Sequence, residues 1–243
     1  MHKKPLFLFI SIVILCATAP AMGKDTTVPK PVIERSKEIF SHGADSFAES
    51  PIQGLFQVTS GITVIYISAD GRFAMEGDIF DLENEENLTE RKRNRARMDA
   101  IDGLGEKDMI VFAPDDVRHT ITVFTDVDCG YCRKLHNEVP ILKDAGIKVR
   151  YLGFPRAGPS SDTYSTMVSV WCADDREKAM TDAKKGNLIP TKQCTHPLKE
   201  HLALGKRIGV RGTPAIVLED GTLISGYVPA IHLQDILEKT FHK

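Results

Sequence analysis

Apolar and polar positions change period several times along the chain, and each change marks an element. Residues 6–15 are apolar apart from Ser11, a run shorter than the roughly 20 residues a membrane-spanning helix needs. From Val32 to Phe47, apolar Ile33, Phe40, Ala44 and Phe47 recur among charged residues, which predicts a short amphipathic helix. The next stretch reads differently: Ile62 to Ile67 is rich in β-branched and aromatic residues. Asp70-Gly71 is a dipeptide favoured in tight hairpin turns, where both central residues take positive φ. A small antiparallel sheet is therefore predicted over 50–82. One helix on a few strands makes a thin core with open strand edges, and such edges pair with another chain. That points to a homodimer formed through a first domain, 24–84.

The segment "NEENLTERKRNRARMDAIDGL" has no proline and no glycine before Gly103, and Asn87 and Glu90 are spaced as a capping box. Its centre, Glu90 to Arg97, is nearly all polar, as expected of a solvated helix joining two domains, here 85–106. From Lys107 onward the pattern becomes strand ("HTITVFTD"), helix, strand ("IKVRYLGFP"), a largely helical stretch over 159–209, a hairpin around Asp220-Gly221, and a closing helix from Ile231 to Phe241. Leu135, Val139 and Leu142 share one face of the first of these helices, Pro140 should kink or shorten it, and Gly146 should stop it. This is an α/β layout occupying 107–243.

Lys3 and Lys4 precede the apolar run and Ala19-Pro20-Ala21 follows it, the three-part layout of a secretory signal. Residues 1–23 are accordingly expected to be cleaved and the rest exported. Bulky Ile14 and Leu15 ahead of Cys16 argue against a lipid anchor there. Cleavage removes Lys3 and Lys4 but no acid, so the formal net charge moves from −2 to −4. A mildly acidic protein has no global attraction to nucleic acid, which therefore is not expected as a partner. Cleavage also leaves four of the five cysteines: Cys129, Cys132, Cys172 and Cys194. An even number in an exported protein points to pairing.

Cys129 falls where a strand ends and a helix begins, and the free N–H groups of a helix N-terminus favour a thiolate. A thiolate attacks a disulfide sulfur, and a second cysteine one turn inside the helix can close on the mixed disulfide. Gly130 should leave the first sulfur accessible, with Tyr131 as an aromatic edge beside it. Zinc fits poorly, because a structural site uses a second closely spaced ligand pair and none follows; His136 reads as a surface residue of the helix, and no metal site is assigned. A purely structural Cys129–Cys132 link would close a tiny loop and stabilise little. Cys172 and Cys194 suit a structural disulfide better: closing their loop is worth roughly 3 kcal/mol, and burial beside Trp171 is expected.

"FTDVDCGYCRKLH", "VRYLGFPRAG", Cys172 with Cys194, and "VRGTPAIVLEDG" together resemble the DsbC family of bacterial periplasmic disulfide isomerases, over nearly the whole chain after the leader. The resemblance implies an α/β fold, α+β overall: a thioredoxin-like catalytic domain with a helical insertion, behind a small α+β dimerisation domain and a helical linker. It implies a V-shaped homodimer, clients among misfolded exported proteins with wrong disulfides, a membrane-embedded reductase of the DsbD type, and no cofactor. Cys129 would attack and Cys132 resolve, with Gly130 and Tyr131 in the active-site loop. Thr213-Pro214 matches the family's cis-proline loop, which lies beside the cysteines and offers backbone groups to the client. Two positions depart from what the resemblance leads one to expect. Val123 stands where thioredoxin carries a buried acid, and Asp126 and Asp128 are expected at the surface, so no proton acceptor is assigned. Pro140 leaves the path of the first helix open. The function implied is reshuffling of non-native disulfides, with chaperone activity. A DsbG-like thiol reductase or oxidase, or a dimeric holdase without redox chemistry, are the alternatives.

Overall fold

The computed structural model describes residues 27–241. The expected leader, with Cys16 and Ala19-Pro20-Ala21, lies outside the described residues. The chain opens with α1 (Lys30–Ile39), entered through Pro31 in its first turn. The predicted helix over 32–47 is thus too long: Phe47 belongs to strand β1 (Ser46–Glu49). The break falls at Gly43, whose φ of +83° closes a turn on the carbonyl of Phe40. Phe40 and Phe47 still pack on one small core of Val32, Phe56, Val58, Ile65 and Ile67, so the apolar spacing is satisfied by two elements instead of one. β1 pairs with β2 (Leu55–Ser60), which pairs with β3 (Thr63–Ser68), which pairs with β4 (Ala74–Glu76), all antiparallel.

The Asp70-Gly71 turn joins β3 to β4, but only Gly71 takes positive φ, at +70°. Asp70 instead uses its carboxylate to accept from the Arg72 N–H and the Ser68 hydroxyl, a side-chain turn in place of the expected two-residue hairpin. A short ribbon of β5 (Phe80–Asp81) and β6 (Glu86–Asn87) then leads into α2 (Leu88–Asp102). Asn87 caps that helix by accepting the Glu90 N–H at 2.9 Å.

Helix α2 is not solvated all round. Arg97 is buried; its Nε donates to the Ile208 carbonyl at 3.2 Å and its Nη1 to Glu90 at 2.7 Å. Gly221, in the turn of the C-terminal hairpin, lies so close that a Cβ there would meet the Asn94 carbonyl oxygen at 2.0 Å. A polar helix can bury one face when its arginine finds carbonyls to bond, which the polar pattern alone does not reveal.

After a single 3₁₀ turn (Glu106–Asp108) come β7 (Ile110–Phe112) and β8 (His119–Thr125). The helix that follows is divided into α3 (Gly130–Asn137) and α4 (Val139–Asp144), with Pro140 in the first turn of the second piece, where its missing N–H costs nothing. β9 (Ile147–Gly153) returns parallel to β8. The insertion consists of α5 (Asp162–Trp171), α6 (Arg176–Lys185) and α7 (Leu198–Arg207). β10 (Ala215–Val217), β11 (Leu223–Ser225) and α8 (Ala230–Phe241) complete the chain. The five-stranded sheet runs β11-β10-β8-β9-β7, and apart from β8 with β9 every pairing is antiparallel. Ile121, Val123, Phe124, Tyr151 and Leu152 on its central strands are fully buried, in one core with Leu135, Val139 and Leu142 of α3 and α4 and Leu198 and Leu204 of α7. Among the described residues no helix is long and apolar enough to cross a membrane.

Candidate active site

β8 lies at the centre of the sheet, and the chain leaving its C-terminal end turns once before α3. Cys129 is the residue that caps α3. Its Sγ accepts the backbone N–H of Cys132 at 3.4 Å and, as a thiol, donates to the main-chain carbonyl of Thr213 at 3.2 Å. The Thr213–Pro214 peptide is cis and immediately precedes β10, whose Ala215 pairs with Phe124 of β8. Two neighbouring strands therefore deliver both halves of the site: β8 leads into the cysteine pair, and the loop before β10 brings Thr213 up to it. Cys129 and Cys132 are both free thiols.

The expected accessibility of the first sulfur is not what the fold produces, since Cys129 is only 4 % exposed. The Thr213 main chain covers it, while on the Gly130 side a Cβ would meet no atom within 4 Å. Tyr131 is 65 % exposed and stacks on Tyr227, with ring centroids 6.1 Å apart and planes 20° from parallel. Lys134 Nζ lies 4.6 Å from the Tyr227 centroid, and the Tyr227 hydroxyl donates to Glu138. Cys172 and Cys194 are joined, Cα to Cα 5.7 Å, and tie the end of α5 to the loop before α7, within the insertion. Trp171 is fully buried, but Cys172 is only half-buried and Cys194 is exposed, so the expected burial of that pair does not hold.

Two models of known families match the chain: the thioredoxin-like domain over 105–241 and the disulfide bond isomerase protein N-terminal domain over 39–90. The thiol:disulfide interchange protein DsbC of Escherichia coli is 38% identical over 192 residues, spanning 78% of this chain and 79% of that protein. The chain belongs to the DsbC family. The DsbC of Haemophilus influenzae is 36% identical over 228 residues, 93% of this chain and 96% of that one. A crystal structure of a disulfide interchange protein from Neisseria gonorrhoeae aligns with a TM-score of 0.50 at 31% identity, covering 56% of this chain and 96% of that chain.

In this DsbC-family site the two thiols are driven apart. Burial alone would raise the Cys129 thiol, but the Thr213 side chain and Cys132, aided by the Arg156 guanidinium, hold it below the ordinary thiol value. Burial dominates at Cys132 and pushes it up, against the pull of the Lys184 charge and a backbone hydrogen bond at Asp126. The first cysteine thereby forms a thiolate more readily than the second.

Three residues beside the pair are misplaced or missed when the sequence is read alone. Asp126 is 2 % exposed, not at the surface: its carboxylate accepts the N–H groups of Asp128 at 2.8 Å and Arg156 at 3.0 Å and the Arg156 Nε at 3.1 Å. Asp128 is exposed as expected and pairs with Arg133. His136 is buried, its Nδ1 3.2 Å from the Tyr151 hydroxyl and its Nε2 3.0 Å from the Thr181 hydroxyl. Lys184 does not stand out in the sequence at all. It is buried with Ala179, Met180 and Ala183 on one face of α6, and its spacing of four residues from Met180 is the available signal.

Proposed function

We propose that this chain is an exported, periplasmic thiol:disulfide isomerase. Cys129 attacks a wrong disulfide of a client, forming a mixed disulfide and freeing a client thiolate. That thiolate then attacks another disulfide of the same client until the native pairing is reached and Cys129 leaves. Cys132 resolves complexes that stall, releasing reduced client and closing the Cys129–Cys132 bond. The observation that carries this reading is Cys129 Sγ at the N-terminus of α3, held by the Cys132 N–H and the Thr213 carbonyl. The stack of Tyr131 on Tyr227 offers an apolar, polar-tipped rim beside it, and the Thr213-Pro214 loop offers backbone groups to an extended client segment.

Isomerisation needs a reduced Cys129, so a membrane-embedded reductase of the DsbD type is the partner that returns the resolved pair to thiols. The leader over 1–23 supports export to the periplasm. Homodimerisation through the first domain is supported by the short exposed edge strand β4 and by exposed Phe73, Met75, Phe80 and Leu82 around it. Two catalytic domains then face one cleft, where an unfolded client can also be held without chemistry.

The test is refolding of a scrambled multi-disulfide protein in glutathione buffer. Wild type should restore native activity of the substrate and Cys129→Ser should not. Equal recovery with folded Cys129→Ser would leave only the holdase reading, and no recovery with folded wild type would remove isomerisation in favour of one-way reduction or oxidation.

A further inference from the structure

Lys184 is the buried ionisable group that the chemistry above leaves unused. It is 3 % exposed, on the inner face of α6. Its ammonium donates to the Thr125 hydroxyl at 2.6 Å and to the Asp126 carbonyl at 2.9 Å. Those two residues are the last of β8 and the first of the turn into the cysteine pair. No carboxylate among the described residues forms an ion pair with Lys184; that of Asp126 is taken up by Arg156. An unpaired buried ammonium costs stability, and hydrogen bonds to a hydroxyl and a carbonyl could be made by a neutral side chain. Its charge therefore asks for an anion. The Asp126 carbonyl it holds also accepts the Cys129 N–H at 3.2 Å. The ammonium thus sits against the turn that carries the cysteine pair, where Cys132 is the sulfur its field acts on most.

We propose that Lys184 is a positioning residue for the resolving step: its buried positive charge stabilises the Cys132 thiolate and so sets how long a client stays bound to Cys129. The inference rests on the Cys129–Cys132 reading above. In the step concerned, Cys132 Sγ loses its proton to solvent and the thiolate attacks Cys129 Sγ. The Cys129–Cys132 bond forms, the Cys129–client bond breaks, and the electron pair departs on the client sulfur. Burial also holds the Lys184 ammonium down at about 8, with Cys132, Asp126 and Cys129 pulling the other way and Arg133 adding to the fall. The remaining groups facing the pair are Tyr151, whose ring centroid is 5.9 Å from Lys184 Nζ, and His136 and Arg156. Burial keeps the first two neutral near pH 7, raising Tyr151 and lowering His136 to about 4, so Lys184 is the buried cation that acts on Cys132.

The experiment uses the full mature chain, reduced, with 5,5′-dithiobis(2-nitrobenzoate) in stopped flow. The first phase reports attack by Cys129; the second, independent of reagent concentration, reports attack by Cys132 on the mixed disulfide. In Lys184→Met the second phase should be about three-fold slower at about pH 7, with its pH midpoint raised by about one unit, since lost charge is partly offset by greater nucleophilicity at higher pKa. The first phase should change by less than about two-fold. Lys184→Gln can keep the hydrogen bonds to Thr125 and Asp126 but not the charge, and it should show the same shift. It also serves if Lys184→Met does not fold. A second-phase profile unmoved in either folded variant, or one restored in Lys184→Gln, would overturn the proposal. Absence of the first phase in wild type would instead overturn the assignment of Cys129.

Discussion

Cys129 owes its lowered thiol pKa to neighbours that come from separate parts of the chain: the Thr213 side chain, the Cys132 N–H at the start of α3 and the Arg156 guanidinium. Arg156 acts at longer range, held by Asp126, whose own charge would otherwise stand unpaired near the sulfur. Arg156→Gln in a Cys132→Ser background should therefore raise the Cys129 pKa, by up to about one unit, because a cation that favours the thiolate is gone. Thiolate absorbance in the ultraviolet, followed against pH, reads this directly. A value unchanged or lowered would mean that the helix N-terminus and Thr213 set the nucleophile alone. None of this is visible in the linear sequence beyond the cysteines themselves. The acid of "TDVDC" looks like a surface residue until Arg156, far along the chain, is folded onto it.

At the scale of elements, the insertion α5–α7 contributes Lys184 to the site and is closed by the Cys172–Cys194 bond. That bond spans 22 residues. Replacing both cysteines with alanine should cost roughly 3 kcal/mol in a urea titration, with a somewhat larger m-value because the unfolded chain without the crosslink is more open. The catalytic pair should still react with a disulfide reagent in the folded variant. A loss well under about 1 kcal/mol would show that α6 is anchored by packing instead, through Met180 and Ala183. Elements whose period was long and clean were readable from the pattern: β8, β9, the C-terminal hairpin and α8 all fall where alternation or helical spacing put them. The misreadings occurred where two short elements share one apolar rhythm. Phe40 and Phe47 both face the small core, but Gly43 divides them between a helix and a strand. In the same way the centre of α2 reads as nearly all polar, and the carbonyls of Ile208 and Gly221 together with Glu90 and Asn94 explain why Arg97 is inside.

For the molecule as a whole, two buried histidines couple stability to pH. Burial, reinforced by Lys184 and Lys185, lowers His136 to about 4, and burial beside His196 lowers His201 to about 4 as well. His201 Nδ1 accepts the Gly153 N–H at 3.1 Å, a bond that needs the neutral ring. In the unfolded chain both would titrate near 6.5, so between about 4 and 6.5 the unfolded state binds more protons and stability rises with pH. The contribution is complete above about pH 6.5 and is lost as pH falls towards 4, by on the order of 1 kcal/mol per histidine per pH unit. Urea midpoints measured at about pH 7 and about pH 5 should fall accordingly, and the double variant His136→Gln/His201→Gln should flatten the dependence. A slope that survives in the folded double variant would place the pH sensitivity elsewhere, in the carboxylates.

The cover over Cys129 also gives the reaction a direction. Displacement at sulfur runs along a line, with the departing atom opposite the entering one. Thr213 closes one approach to Cys129 and the α3 backbone another, while Gly130 adds no side chain beside it. On the reading proposed above, a client bond attacked by Cys129 expels its second sulfur opposite Cys129, outward from the covered site. The freed thiolate thus emerges next to the remainder of its own polypeptide. It is launched towards the bonds it is meant to rearrange.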